Sequence, residues 1–172
     1  MENKKLLEEI RSYWNNRADG YSRVNQEELH SEQKEKWKEV LLEQLPKKEK
    51  DQVQILDIGT GPGFFAILLA EEGYQVTAVD YTEQMLQEAK SNAADLADQI
   101  SFKRMDAQNL EFPKETFDYI VTRNVTWNLE HPKRAYREWQ RVLKPGGKIL
   151  NFDANWYAYL YDDKLKLGYE QD

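Results

Sequence analysis

Between Val53 and Ala66 the chain reads Val-Gln-Ile-Leu-Asp-Ile-Gly-Thr-Gly-Pro-Gly-Phe-Phe-Ala. A short apolar run closes on an acid and an isoleucine, glycines follow at alternate positions (Gly59, Gly61, Gly63), and a second apolar run begins at Phe64. The order predicts a buried strand, a turn too tight for side chains, and a helix whose N-terminus faces whatever covers the turn. A ligand lies almost against the main chain in such a turn, which suits a nucleoside-containing cofactor.

Strand and helix patterns alternate from there on. Helices are predicted over Phe64–Glu72, Thr82–Ala97 and Pro132–Leu143, and strands over Val53–Ile58, Tyr74–Asp80, Ile100–Met105, Phe117–Thr122 and Lys148–Asp153. Gly73, Pro113, Pro145 and the Gly146-Gly147 pair punctuate them. Apolar strands alternating with amphipathic helices specify an α/β fold: a Rossmann-like parallel sheet with helices on both faces and right-handed crossovers. Ligands of such sheets bind at the carboxyl ends of the strands. Ahead of the sheet, residues 1–46 carry two helical stripes. One, from Leu6 to Ala18, is expected to stop at Asp19-Gly20, and the other, from Leu29 to Leu45, to stop at Pro46. The expected organisation is one globular domain, with a helical segment over 1–46, a core over 52–153 and an aromatic segment over 154–172 that starts helical.

The chemistry of the turn separates two cofactor classes. A dinucleotide fingerprint places its third glycine where Phe64 stands, and its helix N-terminus holds a pyrophosphate. Here the third glycine comes one position early, and Asp57 sits two residues before Gly59 in a strand otherwise made of Val, Gln, Ile and Leu. A carboxylate there repels a pyrophosphate and suits an ammonium group. Asp80, about twenty residues beyond the first glycine, ends the second strand, where an acid can accept hydrogen bonds from both hydroxyls of a ribose.

Pattern and acid together resemble motif I of the class I S-adenosylmethionine-dependent methyltransferases, of the small-molecule, type 11-like kind. The resemblance spans about residues 10 to 153 and implies a sheet that begins 3-2-1-4-5. It implies that Asp57 answers the methionine end of S-adenosylmethionine, and that Gly59, Thr60 and Gly61 pass under its sugar and methionine portions. Asp80 would take the ribose, Tyr81 would pack on the adenine, and Met85, one helical turn onward, would add an apolar contact. At the end of the third strand Asp106 would accept from the adenine amino group and Ala107 would border the ring. The tip Arg123-Asn124-Val125 would offer carbonyls and one polar side chain, that of Asn124, near the sulfur. The run Tyr13-Trp14-Asn15-Asn16-Arg17-Ala18-Asp19-Gly20-Tyr21 resembles the lid of small-molecule members, with Tyr13 and Tyr21 expected to face the cofactor. Arg141 to Leu150 matches the family's turn into strand five, a structural part.

Transfer from a sulfonium needs an aligned nucleophile more than an acid–base pair, so the missing triad is no objection and the catalytic residues stay unassigned. His131 and Asp153 are the groups nearest a plausible base, and surface or structural roles suit both better. Where adenine- and glutamine-methylating members carry Asp/Asn-Pro-Pro-aromatic, this chain has Asn124-Val-Thr-Trp127. That difference and a net charge of −7 disfavour nucleic acid and favour a small-molecule methyl acceptor. With no cysteine and only His30 and His131, far apart, neither a disulfide framework nor a metal site is expected. No apolar run is long enough for a bilayer and the N-terminus lacks a signal-peptide core, so a cytoplasmic protein is expected.

Family members usually continue to seven strands, while only five are legible here. Strand five would then be an exposed edge, covered by a missing part of a longer chain, by its own tail or by a second copy in a homodimer. Two other functions remain open at this point: an NAD-linked oxidoreductase, and a non-catalytic S-adenosylmethionine-binding regulator or scaffold.

Overall fold

The computed structural model describes residues 2–46, 49–155 and 158–162. Two helices come first, α1 (Glu2–Leu29) and α2 (Glu32–Gln44). Then follow β1 (Gln54–Ile58), α3 (Phe64–Glu71), β2 (Gln75–Asp80), α4 (Glu83–Ala93), β3 (Ile100–Arg104), β4 (Phe117–Arg123), α5 (Pro132–Val142) and β5 (Leu143–Phe152). All pairings are parallel and the sheet order is β3-β2-β1-β4-β5, as expected from the sequence.

Period-two alternation splits the sheet into two apolar faces. Ile55, Val76, Ala78, Tyr119 and Val121 pack with α2 and α3 on one side. Leu56, Ile58, Val79 and Ile120 pack with Ala135, Trp139 and Val142 of α5 on the other. Every residue of α3 from Phe64 to Ala70 is buried, which explains a helix with no polar face. α5 buries only Ala135, Trp139 and Val142, a stripe at helical spacing. Ile58, Val79 and Thr122 lie side by side in register, so the tips of β1, β2 and β4 open on one edge of the sheet.

The structure departs from the sequence reading at several boundaries. α1 continues through Asp19-Gly20 to Leu29, and the break comes at His30-Ser31, where the Ser31 hydroxyl accepts from the Gln33 amide at 3.2 Å. One glycine inside a helix costs about 1 kcal/mol relative to alanine, too little to stop a helix whose buried face carries Ala18, Ser22 and Asn25. α4 ends at Ala93 and gives way to a 3-10 turn over Ala94–Gln99. β5 starts at Leu143, five residues before the expected Lys148, because the Pro145-Gly146-Gly147 turn is taken into the strand as an irregularity opposite Phe117 and Tyr119. A side chain at Gly147 would lie 2.6 Å from the Asp118 carbonyl oxygen, so the strand passes its neighbour there only as glycine. Of the expected C-terminal helix, Ala158–Leu160 forms a single 3-10 turn, and residues 156–157 and 163–172 lie outside the described residues. Among the described residues β5 is the outer strand of the sheet on this side. Among the described residues no helix is long and apolar enough to cross a membrane.

Candidate cofactor site

The glycine turn hangs on the tip of the neighbouring strand: the Thr60 amide donates to the Val79 carbonyl at 3.0 Å, and the Gly63 amide to the Thr60 carbonyl at 2.9 Å. Its first two glycines serve different ends. Gly59 has φ +65 and an added Cβ would meet Val125 Cγ2 at 2.4 Å, so protein packing alone requires glycine. Gly61 has φ +53, yet the nearest atom to an added Cβ is Tyr21 Cε1 at 3.7 Å. Its missing side chain faces the cleft rather than the core.

Asp80 fastens that cleft edge. One carboxylate oxygen accepts from the Gly61 amide at 2.9 Å and the other from the Thr82 amide at 2.8 Å. Burial still raises its pKa above the ordinary carboxylate value, the amide hydrogen bonds opposing. The Thr82 hydroxyl and the Tyr81 amide also favour the ionised carboxylate.

Asp57 follows Ile55 onto the α2–α3 face of the sheet, two residues along β1. It therefore lies beneath the turn, 2% exposed, and accepts from the Thr60 hydroxyl at 2.6 Å. Burial pushes its pKa up to about 7, with the Thr60 hydroxyl and the Ala66 amide pulling it down and Asp80 adding a small repulsion. A carboxyl raised from 3.8 to about 7 makes the folded state bind the extra proton between those values. The folded form therefore loses stability as pH rises through that window. Asp57→Asn removes this slope: urea denaturation at pH 4.5 and pH 8 should show wild type losing roughly 3 kcal/mol more than the variant across the interval.

Arg123 comes from β4, where Asp57 pairs with Val121, and the same alternation brings it to Asp57's side of the sheet. Its guanidinium forks onto Glu28 of α1 at 2.8 and 2.9 Å and lies over the Trp37, Phe64 and Phe65 rings, 4.8 to 5.8 Å from their centroids. Residues from opposite ends of the chain thus meet at the turn. α1 is also tied down through Asn92 of α4, whose amide nitrogen donates to the Ser22 hydroxyl at 3.1 Å and to the Pro62 carbonyl at 3.0 Å. Near its start, Glu8 accepts from the Tyr81 hydroxyl at 3.2 Å.

Between α1 and the strand tips lies a cleft of about 130 Å³. Tyr21, Gly59, Gly61, Asp80, Tyr81, Met85, Asp106, Ala107 and Asn124, all positions singled out by sequence, are among its lining residues. Asp106 spends one oxygen on its own turn, accepting from the Gln108 amide at 2.8 Å. The Ala107 carbonyl accepts from Trp139 Nε1 at 2.8 Å, so α5 holds that loop in place. Asn124 has φ +57, and its side-chain oxygen accepts from the Ala154 amide at 3.1 Å.

Asp57 and Thr60 line a separate recess under the turn, not the main cleft. Tyr13 lines neither: 48% exposed, it stands edge-on to Trp14, with Arg17 over its ring. Trp14 takes the place expected of it, in the cleft wall and edge-on to Tyr21 and Trp127. His131 and Asp153 do not line the cleft; Asp153 accepts from the Thr126 hydroxyl and from Asn151. Trp14, Asn25 and the Arg123–Glu28 pair were not legible as site residues. Helical phase could have found Trp14 and Asn25, since Asn25 lies one turn beyond Tyr21.

Comparison with known proteins identifies the family. Residues 56–151 match the family model described as Methyltransferase domain. The chain is 31% identical over 109 residues to the ubiquinone biosynthesis O-methyltransferase of Coxiella burnetii, covering 62% of this chain and 47% of that protein. It is 31% identical over 144 residues to the ubiquinone/menaquinone biosynthesis C-methyltransferase of Rickettsia massiliae, covering 79% and 54%. A Methanococcus maripaludis protein assigned to the S-adenosyl-L-methionine-dependent methyltransferases superposes with a TM-score of 0.71 at 26% identity, covering 81% of this chain and 64% of that one. The chain belongs to the methyltransferase domain family, with the class I Rossmann-like fold. It spans about half the length of the curated relatives it matches.

Proposed function

We propose that this protein binds S-adenosylmethionine and passes its methyl group to a small-molecule acceptor by in-line displacement, releasing S-adenosylhomocysteine. The observation that carries the reading is the pair of carboxylates around the glycine turn, Asp57 beneath it and Asp80 bonded to its Gly61 amide. Two acids so placed oppose a pyrophosphate. They suit a ligand with a ribose at one end and an ammonium at the other, and an ammonium over Asp57 draws it to the ionised form.

The residues fit that cofactor part by part. Asp80 lines the cleft and offers its carboxylate to the ribose hydroxyls. Tyr81 and the buried Met85 supply apolar contact for the base, and the second oxygen of Asp106 suits its exocyclic amine. When bound, the cofactor supplies a methyl group already activated as a sulfonium. The protein's share is to align the acceptor and to keep water out, and Trp14 and Tyr21 present aromatic faces that tolerate the positive charge. The cleft, at about 130 Å³, is tighter than the ~300–1,000 Å³ usual for cofactor sites. α1 acts as a lid that shifts outward to admit the ligand. Polar contacts at Glu8, Ser22, Gln26 and Glu28 tie it to the body.

The acidic balance of −7 supports an acceptor other than nucleic acid. Among the described residues no further strand pairs with β5, and its outer edge suits a second copy of the chain in a homodimer. A labelled-methyl assay over phenols, amines and activated carbon acids tests the reading, with transfer to at least one class expected and inactivity throughout counting against it. Asp80→Ala should weaken S-adenosylhomocysteine binding by about 1–3 kcal/mol, the worth of hydrogen bonds to a charged group. Unchanged affinity in a calorimetric titration would remove the ribose assignment.

A further inference from the structure

The recess under Tyr21 measures about 40 Å³ and is lined by Asn25, Asp57, Thr60 and Arg123 among others. A single water needs about 10–15 Å³, so the recess accepts a few small polar atoms and excludes a base or a sugar. Asn25 is 6% exposed, and its Oδ1 finds no donor among the described residues. A buried amide oxygen left unpaired is unfavourable, and rare enough to need an explanation.

The surroundings supply one. Asp57, from beneath, is a second buried oxygen acceptor, engaged by the Thr60 hydroxyl. To one side stands the Arg123 guanidinium, with only part of its five-donor fork taken by Glu28. Two acceptors facing a small space beside a cation match a free α-amino acid: an ammonium for the oxygens and a carboxylate for the guanidinium. Tyr21, Asn25 and Glu28 follow one another at helical spacing along α1, so one face of the lid carries all three.

We propose that Asn25 reads the amino-acid end of the cofactor, its Oδ1 accepting one ammonium N–H while Asp57 accepts another, so that this end of the ligand holds α1 closed. The inference rests on the S-adenosylmethionine reading and extends it to a lid residue. Adenosine contacts alone would then leave the lid loose, and the amino-acid tail would close it.

Two ligands separate the parts. S-Adenosylhomocysteine carries the tail, and 5′-methylthioadenosine keeps the nucleoside thioether without it. In calorimetric titrations Asn25→Leu should lose about 10- to 100-fold in affinity for the first, the range for a hydrogen bond to a charged group, and change less than twofold for the second. Hydrogen exchange on the wild-type protein, which needs no variant to fold, should show α1 amides around residues 18–28 protected by S-adenosylhomocysteine and not by methylthioadenosine. Equal losses for both ligands, no loss for either, or equal protection by both would overturn the role of Asn25. Failure of the wild type to bind either ligand would instead remove the cofactor reading itself, and this inference with it.

Discussion

Gly61→Val should lose S-adenosylhomocysteine binding by at least a hundredfold while remaining folded. The wild-type backbone has φ +53 there, which a β-branched side chain tolerates poorly, and that strain costs on the order of 1–3 kcal/mol. Among the described residues the nearest atom to the new Cβ is Tyr21 Cε1, at an ordinary contact distance of 3.7 Å. What it does fill is the space over the turn where the proposed ligand lies. The contrast with Gly59 makes the expectation specific. A side chain there meets Val125 at 2.4 Å and damages packing whatever the ligand. Circular dichroism and urea denaturation report the fold, and calorimetry reports the ligand. A Gly61→Val protein that bound within a few fold of wild type would show that the ligand does not approach this turn.

The largest stability loss should come from Trp139→Ala. Trp139 is fully buried among Leu56, Ile58, Ile120 and Val142, and truncating such a ring costs about 3–5 kcal/mol. The side chain also carries a positioning role, since its Nε1 holds the Ala107 carbonyl at 2.8 Å. Arg141 completes the support, donating to the Leu110 and Phe112 carbonyls at 2.7 and 2.8 Å. Trp139→Phe separates the two effects. It keeps most of the ring volume and should cost less stability, yet the freed Asp106–Leu110 loop should weaken S-adenosylhomocysteine binding several-fold. Affinity unchanged in the phenylalanine variant would show that the loop stays in place without α5.

The sheet was legible because its signals are local. Apolar runs of five or six residues, separated by glycine, proline and amphipathic stretches, give each strand and the parallel α/β class, while the order 3-2-1-4-5 came from the family resemblance. The acids and turn residues that meet at the strand tips follow from that topology, and so Asp80, Tyr81, Met85, Asp106 and Asn124 reach one cleft. The lid was harder to read. A glycine at position 20 looks like a helix stop, yet buried contacts further along α1 carry the helix on to Leu29. Whether Tyr13 or Trp14 faces inward is a matter of one residue in helical phase, and that phase is set by partners on other elements. Pairs such as Glu28 with Arg123 join residues 95 positions apart, which no local pattern reports. Asp57 is intermediate. Its presence was plain, but the period of the strand turns it beneath the loop, where it faces Asn25 and Arg123 rather than the open cleft.

The nature of the ligand is settled most directly by titrating the purified protein with S-adenosylhomocysteine and, separately, with NAD. Saturable binding of the first at one site per chain, with no heat from the second, is the expected result. Binding of the dinucleotide without the sulfur nucleoside would contradict it, because a pyrophosphate would then be resting against two carboxylates.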